Sequence, residues 1–188
     1  MANMKDCSKF NIHDDYYTPK SAWENIKPCI LSSKPFQSDG VIKVWEACML
    51  NSTLSKSHEH LKEVLGDKVE VIHDKTLDCL SDDIPNHDLI ITNIPFDKNI
   101  KIPILKKFVA RDKPFIIIMN SMNTFSKYFH DIFNGNFQHL QIITPSNKIN
   151  FDKLENGVLK KLKNSCSFYC VYICYKCELP KENLFIRV

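Results

Sequence analysis

Along the chain, short and wholly apolar runs alternate with stretches in which apolar residues recur every three or four positions. Residues 41–45, 69–72, 88–92, 114–119, 140–143 and 167–175 have the length and composition of strands. The runs at 88–92 and 114–119 show no inside-outside alternation, the pattern of strands buried on both faces of a parallel sheet. Residues 21–26, 55–65, 100–110 and 121–133 carry helical spacing. Ser21 is the expected N-cap of the first, with Glu24 as its capping-box partner. Leu61, Val64 and Leu65 share a face of the second, which Gly66 closes. Pro103 falls near the start of the third, where proline is tolerated, and Asn134-Gly135-Asn136 stops the fourth. Residues 34–40 and the polar stretch up to Asn86 read as loops, and the Lys-rich, Gly-interrupted segment 150–164 as an exposed insertion. Strands alternating with helices of about ten residues predict an α/β fold, a doubly wound and mostly parallel sheet with helices on both faces. Residues 1–16 form an N-terminal arm in this reading, and 17–188 a single domain without repeat or linker.

Composition narrows the class. At 188 residues, 44% apolar and 25% charged, the chain can bury a core without disulfide staples. No apolar run approaches the roughly 18 residues of a membrane span, and residues 1–10 lack a hydrophobic signal core. The expected location is therefore cytoplasmic, nuclear or a viral factory rather than secreted, with the eight cysteines as reduced thiols. A net charge of +3 and a pI near 8.3 suit an acidic partner such as nucleic acid. With 23 Lys against 2 Arg, such a grip would use point charges and weaken with salt. Only four glycines are present, few for a fold in which backbone approaches a nucleotide.

Ligands of open α/β sheets bind beyond the carboxyl ends of the strands. Asn93-Ile94-Pro95-Phe96 stands at such an end. The Asn93 side-chain oxygen and the Ile94 carbonyl can each accept a hydrogen bond from a planar exocyclic amine, turning its lone pair toward a methyl donor. Phe96 offers a ring for stacking, and Pro95 stiffens the turn. The plain alternative is a strand-to-loop turn. Glu46 ends the strand 41–45, where it either bonds the polar end of a cofactor or faces solvent. Tyr16, Tyr17 and Thr18 either anchor the arm or touch the cofactor. His73 is expected in a surface loop, and Asp74 and Asp78 are either surface residues of that loop or ligand contacts.

Cys166, Cys170, Cys174 and Cys177 lack the paired C-x2-C spacing of a zinc ribbon. In a strand the first three would spread over more than roughly 20 Å, so packing is expected there and no metal site is assigned. His58, Glu59 and His60 fall on a helix and are expected to be solvated. Lys106-Lys107 and Lys160 to Lys163 are either phosphate contacts or a solvated face, the latter favoured for the second cluster.

Asn93-Ile94-Pro95-Phe96 resembles the Asp/Asn/Ser-Pro-Pro-aromatic motif of amino-group methyltransferases, and Asn-Ile-Pro-aromatic is the form found in ribosomal RNA adenine dimethylases. Asp15-Tyr16-Tyr17-Thr18-Pro19-Lys20 with Ala22-Trp23 resembles the N-terminal cofactor segment of phage and giant-virus DNA adenine methyltransferases. Val44-Trp45-Glu46, Lys113-Pro114-Phe115-Ile116, the segment from Thr124 to Phe129, Ser165 to Phe168 and Cys174-Tyr175-Lys176 follow in the family's order. The resemblance implies a Rossmann-like class I methyltransferase fold and S-adenosylmethionine as cofactor, held by Tyr16, Tyr17, Thr18, Glu46, Ala47, Asp74 and Asp78. It implies methyl transfer to the N6 amine of adenine at Asn93, Ile94, Pro95 and Phe96, with DNA favoured over RNA. One stretch departs from the family: no glycine lies between Glu46 and Thr53, where the backbone would curl around the cofactor. That departure defines the competing expectation, a catalytically degenerate methyltransferase fold serving as a nucleic-acid-binding or scaffolding subunit. At this length either target specificity is low, or segment 150–164 and a partner subunit supply it; a homo-oligomer is the other partner expected.

Overall fold

The computed structural model describes residues 16–48, 55–73, 79–81, 83–155, 158–161, 168–181 and 183–186. The elements run β1 (Tyr16–Tyr17), α1 (Lys20–Glu24), α2 (Lys27–Ser32), β2 (Ile42–Trp45), α3 (Ser57–Leu65), β3 (Val69–Ile72), β4 (Leu89–Asn93), α4 (Lys98–Ala110) and β5 (Phe115–Asn120). There follow α5 (Lys127–Phe133), β6 (Leu140–Pro145), β7 (Asp152–Glu155), β8 (Val158–Lys161), β9 (Cys170–Tyr175) and β10 (Asn183–Ile186). Seven strands form one sheet in the order β10-β6-β9-β5-β4-β2-β3. Every pairing in it is parallel except those of β9, which lies antiparallel between β5 and β6.

The unbroken apolar runs have a direct cause. Ile91, Ile116 and Ile118 face one core, with Trp23, Ile26 and Ile30 of the α1–α2 region and Leu61, Val64 and Leu65 of α3. Their neighbours Ile90, Phe115 and Ile117 face the other, with Leu105 and Phe108 of α4 and Phe129 and Phe133 of α5. Each side chain so buried contributes roughly 1.5–3 kcal/mol, which no single-faced strand could double. The Tyr172 hydroxyl donates to the Ala22 carbonyl at 2.6 Å, fastening α1 to β9.

Several local expectations are corrected. Ser21 lies inside α1 rather than at its cap; Pro19 precedes the helix and supplies no side-chain bond. The segment after it is more ordered than a loop, because Pro28 sits in the first turn of α2 and a 3-10 turn covers Lys34–Gln37. Asp97, not a residue near Ile100, begins α4: its carboxylate accepts from the Asn99 N–H at 2.7 Å. Pro103 is interior to that helix, and its residue is exposed. Residues 121–133 divide into a 3-10 turn, Ser121–Phe125, and α5. Within 150–164, β7 and β8 form a hairpin that pairs with β1 in a separate three-stranded antiparallel sheet. β10 has no counterpart in the sequence pattern; it pairs parallel with β6 at the sheet edge.

Cys170, Cys174 and Cys177 are buried in the first core, where packing was expected, and Cys166 lies outside the described residues. His58 and His60 are not simply solvated. The His58 ring packs on His73 at 3.7 Å between centroids, and His60 Nδ1 lies 3.3 Å from the Thr18 carbonyl oxygen. Lys160 and Lys161 are exposed, as a solvated face requires, and Lys163 lies outside the described residues.

Candidate active site

β2 pairs with β3 on one side and β4 on the other, so the chain leaves β2 in one direction and returns on the opposite flank. Such a switch point opens a crevice beyond the carboxyl ends of the two strands. Glu46, next after β2, and Asn93, last in β4, therefore meet there. Glu46 extends the ladder by one bond, its N–H donating to the Ile72 carbonyl at 3.0 Å. Its side chain is turned inward and buried. The Thr92 hydroxyl donates to Glu46 Oε1 at 2.7 Å and accepts from the Cys48 N–H at 3.0 Å. One threonine thus fixes both the carboxylate and the chain leaving β2, while its neighbour Asn93 opens into the crevice.

The cavity is lined by Tyr16, Tyr17, Thr18, Glu46, Cys48, Ser55, Ser57, Asn93, Ile94, Pro95 and Phe96, and holds about 30 Å³. Three buried polar atoms among these lining residues have no hydrogen-bond partner among the described residues: Glu46 Oε2, Asn93 Oδ1 and Ser57 Oγ. Leaving each unsatisfied costs about 1–3 kcal/mol, more for a charge. Three in one cavity mark a place prepared for a polar ligand. Burial drives the Glu46 carboxyl up to about 7, with the Thr92 hydroxyl holding it back. The Cys48 thiol is pushed well up by its hydrogen bond with Cys79 and by burial, so it stays neutral and is no nucleophile near pH 7.

Phe96 joins a knot of rings beside the cavity. Its centroid lies 5.5 Å from Tyr16, 5.9 Å from Phe151 and 5.0 Å from Phe168. Tyr16 reaches this knot because β1 pairs with β7, Tyr16 opposite Lys153 and Tyr17 opposite Asp152. The hairpin segment and the Asn93-to-Phe96 loop are therefore parts of one structure.

The cavity brings together eight of the residues expected from the sequence: Tyr16, Tyr17, Thr18, Glu46, Asn93, Ile94, Pro95 and Phe96, the last also in the ring knot. Ala47 packs into the second core and does not line the cavity. Asp74 and Asp78 lie outside the described residues. Four residues escaped the sequence reading: Cys48, Ser55, Ser57 and Thr92. Thr92 directly precedes Asn93 in an apolar run, which was the available signal; nothing local distinguishes Ser57 from an ordinary first residue of a helix.

A solved protein of Listeria monocytogenes, assigned to the class I S-adenosylmethionine-dependent methyltransferases, superimposes on 94% of this chain and 67% of its own, with TM-score 0.55 and 11% identity. The fold is the class I methyltransferase fold. A human methyltransferase 10 domain containing protein (7% identity, 83% of this chain and 81% of that one) scores 0.42, below the level that carries weight. The same holds at 0.38 for a Thermoplasma acidophilum structure assigned as a methyltransferase, at 12% identity over 81% of this chain and 63% of that one. No family model matches the chain, and no curated protein matches it. On a class I fold, the switch-point crevice bounded by Glu46 and Asn93 is where a bound ligand is expected. No described helix is long and apolar enough to cross a membrane.

Proposed function

We propose that this protein transfers a methyl group from S-adenosylmethionine to the N6 amine of adenine in DNA. The observation that carries the reading is the buried, partnerless Asn93 Oδ1 at the head of Asn93-Ile94-Pro95-Phe96, in the same cavity as the partnerless Glu46 Oε2. An amide oxygen suits an exocyclic N–H, and a carboxylate suits the ammonium of an amino acid. The pair of acceptors therefore fits both partners of such a transfer. When bound, the cofactor supplies a sulfonium-activated methyl group.

Asn93 Oδ1 and the Ile94 carbonyl would each accept from the adenine amine, directing its lone pair outward along one line. Pro95 holds that pair of acceptors in register, and the ring knot around Phe96 excludes water from the transfer. Transfer would leave a surplus proton on N6, which Asn93 Oδ1 and the Ile94 carbonyl would hold until the product leaves the crevice and the proton passes to water. No strong base is required, only position and preorganised acceptors. Glu46 in its ionised form anchors the cofactor's ammonium, oriented by the Thr92 hydroxyl.

The test is mass-detected methyl transfer to adenine-containing duplexes. Wild type transfers; Asn93→Ala lowers kcat by about 10²–10³-fold with little change in melting temperature. Single-stranded RNA as competitor decides between the nucleic acids. Absence of transfer, together with no thermal shift at millimolar S-adenosylmethionine, would reject catalysis and leave the fold as a binding scaffold.

A further inference from the structure

Three large apolar side chains stand in water at the carboxyl rim of the sheet: Met122 is 69% exposed, Phe125 80% and Tyr169 61%. One such residue is ordinary on a protein surface, whereas a group of them marks contact with something else. They are neighbours by construction. The 3-10 turn Ser121–Phe125 follows β5, Tyr169 immediately precedes β9, and Asn120 sits opposite Cys170 in the antiparallel pairing. The Ser121 N–H donates to the Tyr169 carbonyl at 2.8 Å, tying the two segments together.

The turn is braced from within. The Asn120 side chain accepts from the Met122 N–H at 2.9 Å, and the Thr124 hydroxyl donates to the Ser121 carbonyl at 2.7 Å. Asn123 accepts from Lys101 Nζ at 2.8 Å and from the Tyr128 hydroxyl at 2.5 Å. Polar side chains occupy the inside of this turn, and Phe125 is held outside it.

Charge selects the partner. Beyond the last residues of β4, β5 and β6, the described loops and helix starts carry Lys98, Lys127 and Lys148 toward the surface, with Lys101 buried against Asn123, and the nearby carboxylates are Asp97 and Asp131. Asp97 caps α4, and Lys127 is engaged with Asp131 at 2.8 Å. Lys148 Nζ lies 4.5 Å from the Tyr169 ring centre. Exposed ring faces interleaved with ammonium groups fit a polyanion that carries planar bases. The rim is also continuous with the proposed site: Asn93 lies opposite Ile118 of β5, and the Ile94 N–H donates to the Ile118 carbonyl at 3.4 Å.

We propose that Phe125 and Tyr169 form a stacking platform for the bases flanking the target nucleotide, with Met122 as apolar floor and Lys148 at the adjoining phosphate. The platform rests on the reading of nucleic acid as substrate. It gives the chain a hold on the strand outside the Asn93 cavity.

Fluorescence anisotropy of a labelled 12-mer DNA strand with the full-length protein tests this. A matched strand, with abasic sites on both sides of the central adenine, is the second probe. Phe125→Ala and Tyr169→Ala each weaken binding of the normal strand by about 5–100-fold, without lowering the melting temperature. Both variants and wild type bind the abasic strand alike, and Lys148→Ala flattens the salt dependence by about 0.7 of a log unit per log unit of salt. Equal affinity of wild type and variants for the normal strand overturns the platform. So does an equal loss by the variants on both strands, or variants that change the self-association mass while leaving DNA affinity intact. Wild type that binds no strand even at low salt overturns the nucleic-acid reading along with the platform.

Discussion

Burial raises the Glu46 carboxyl to about 7 because its charged form loses water, and the Thr92 hydroxyl offsets only part of that loss. The consequence for stability has a definite sign. In the unfolded chain the group releases its proton near the ordinary value of 4.5, while the folded chain retains it to about 7. Between these values the folded state binds more protons, so stability falls as pH rises through the window and is level above it. The full drop is about 3 kcal/mol by linkage. Melting curves at about pH 5 and about pH 8 should show it, and Glu46→Gln should remove most of the slope. Cofactor affinity runs the opposite way, because an ammonium pairs with the ionised form. Its Kd should tighten with pH up to about 7 and then level, a dependence that Glu46→Gln abolishes; a flat wild-type profile would disconnect Glu46 from the ammonium. Thr92→Val removes the donor to Glu46 and the acceptor for the Cys48 N–H together. It should cost about 1–3 kcal/mol in chemical denaturation while preserving side-chain volume.

Among the elements, the end of α3 is the cleanest test of a backbone requirement. Gly66 has φ of 68°, and a Cβ added there would meet no atom within 4 Å. With ψ at −149° this is backbone that only glycine adopts readily, so Gly66→Ala and Gly66→Asn should each lose about 1–3 kcal/mol from conformation alone, measured by urea unfolding. This stop was legible in the sequence, as were the central strands, because burial on both faces leaves an unbroken apolar run such as Leu89-Ile90-Ile91. β7 and β8 were not, since Asp152-Lys153-Leu154-Glu155 and the lysines of β8 serve a hairpin outside the main sheet. The reversed direction of β9 left no local trace either: Cys170 to Tyr175 is apolar whichever way it runs, and only its register with β5 and β6 reveals the orientation. At the site, Asn93 and Glu46 were legible by type and by position at strand ends. Ser57 was not, because its role comes from the helix N-terminus meeting a crevice made by residues far away in sequence.

On the scale of the whole molecule, the switch point gathers the proposed chemistry into a crevice whose cavity, at about 30 Å³, holds little more than one water. Ligand pockets for molecules of the cofactor's class are roughly ten times larger. A ligand of that size would part walls of the described cavity, and two of these walls differ in how they are held. Asn93 to Phe96 issues from the central sheet and is buried at Ile94. Tyr16 to Thr18 is held by the two-residue pairing of β1 with β7, the Tyr16 ring contacts and the His60 approach to Thr18. Opening on the side of β1 disturbs less of the core, and its rate then limits entry of the cofactor. Stopped-flow tryptophan fluorescence can follow this, since Trp45 adjoins Glu46 and is buried. With binding fast and opening slow, the observed rate constant should fall as cofactor concentration rises, to a plateau set by opening, the kinetic mark of a change that precedes binding. Tyr17→Gly, which weakens β1, should raise the plateau. A rate that stays linear into the millimolar range would mean that the cofactor enters a crevice already open.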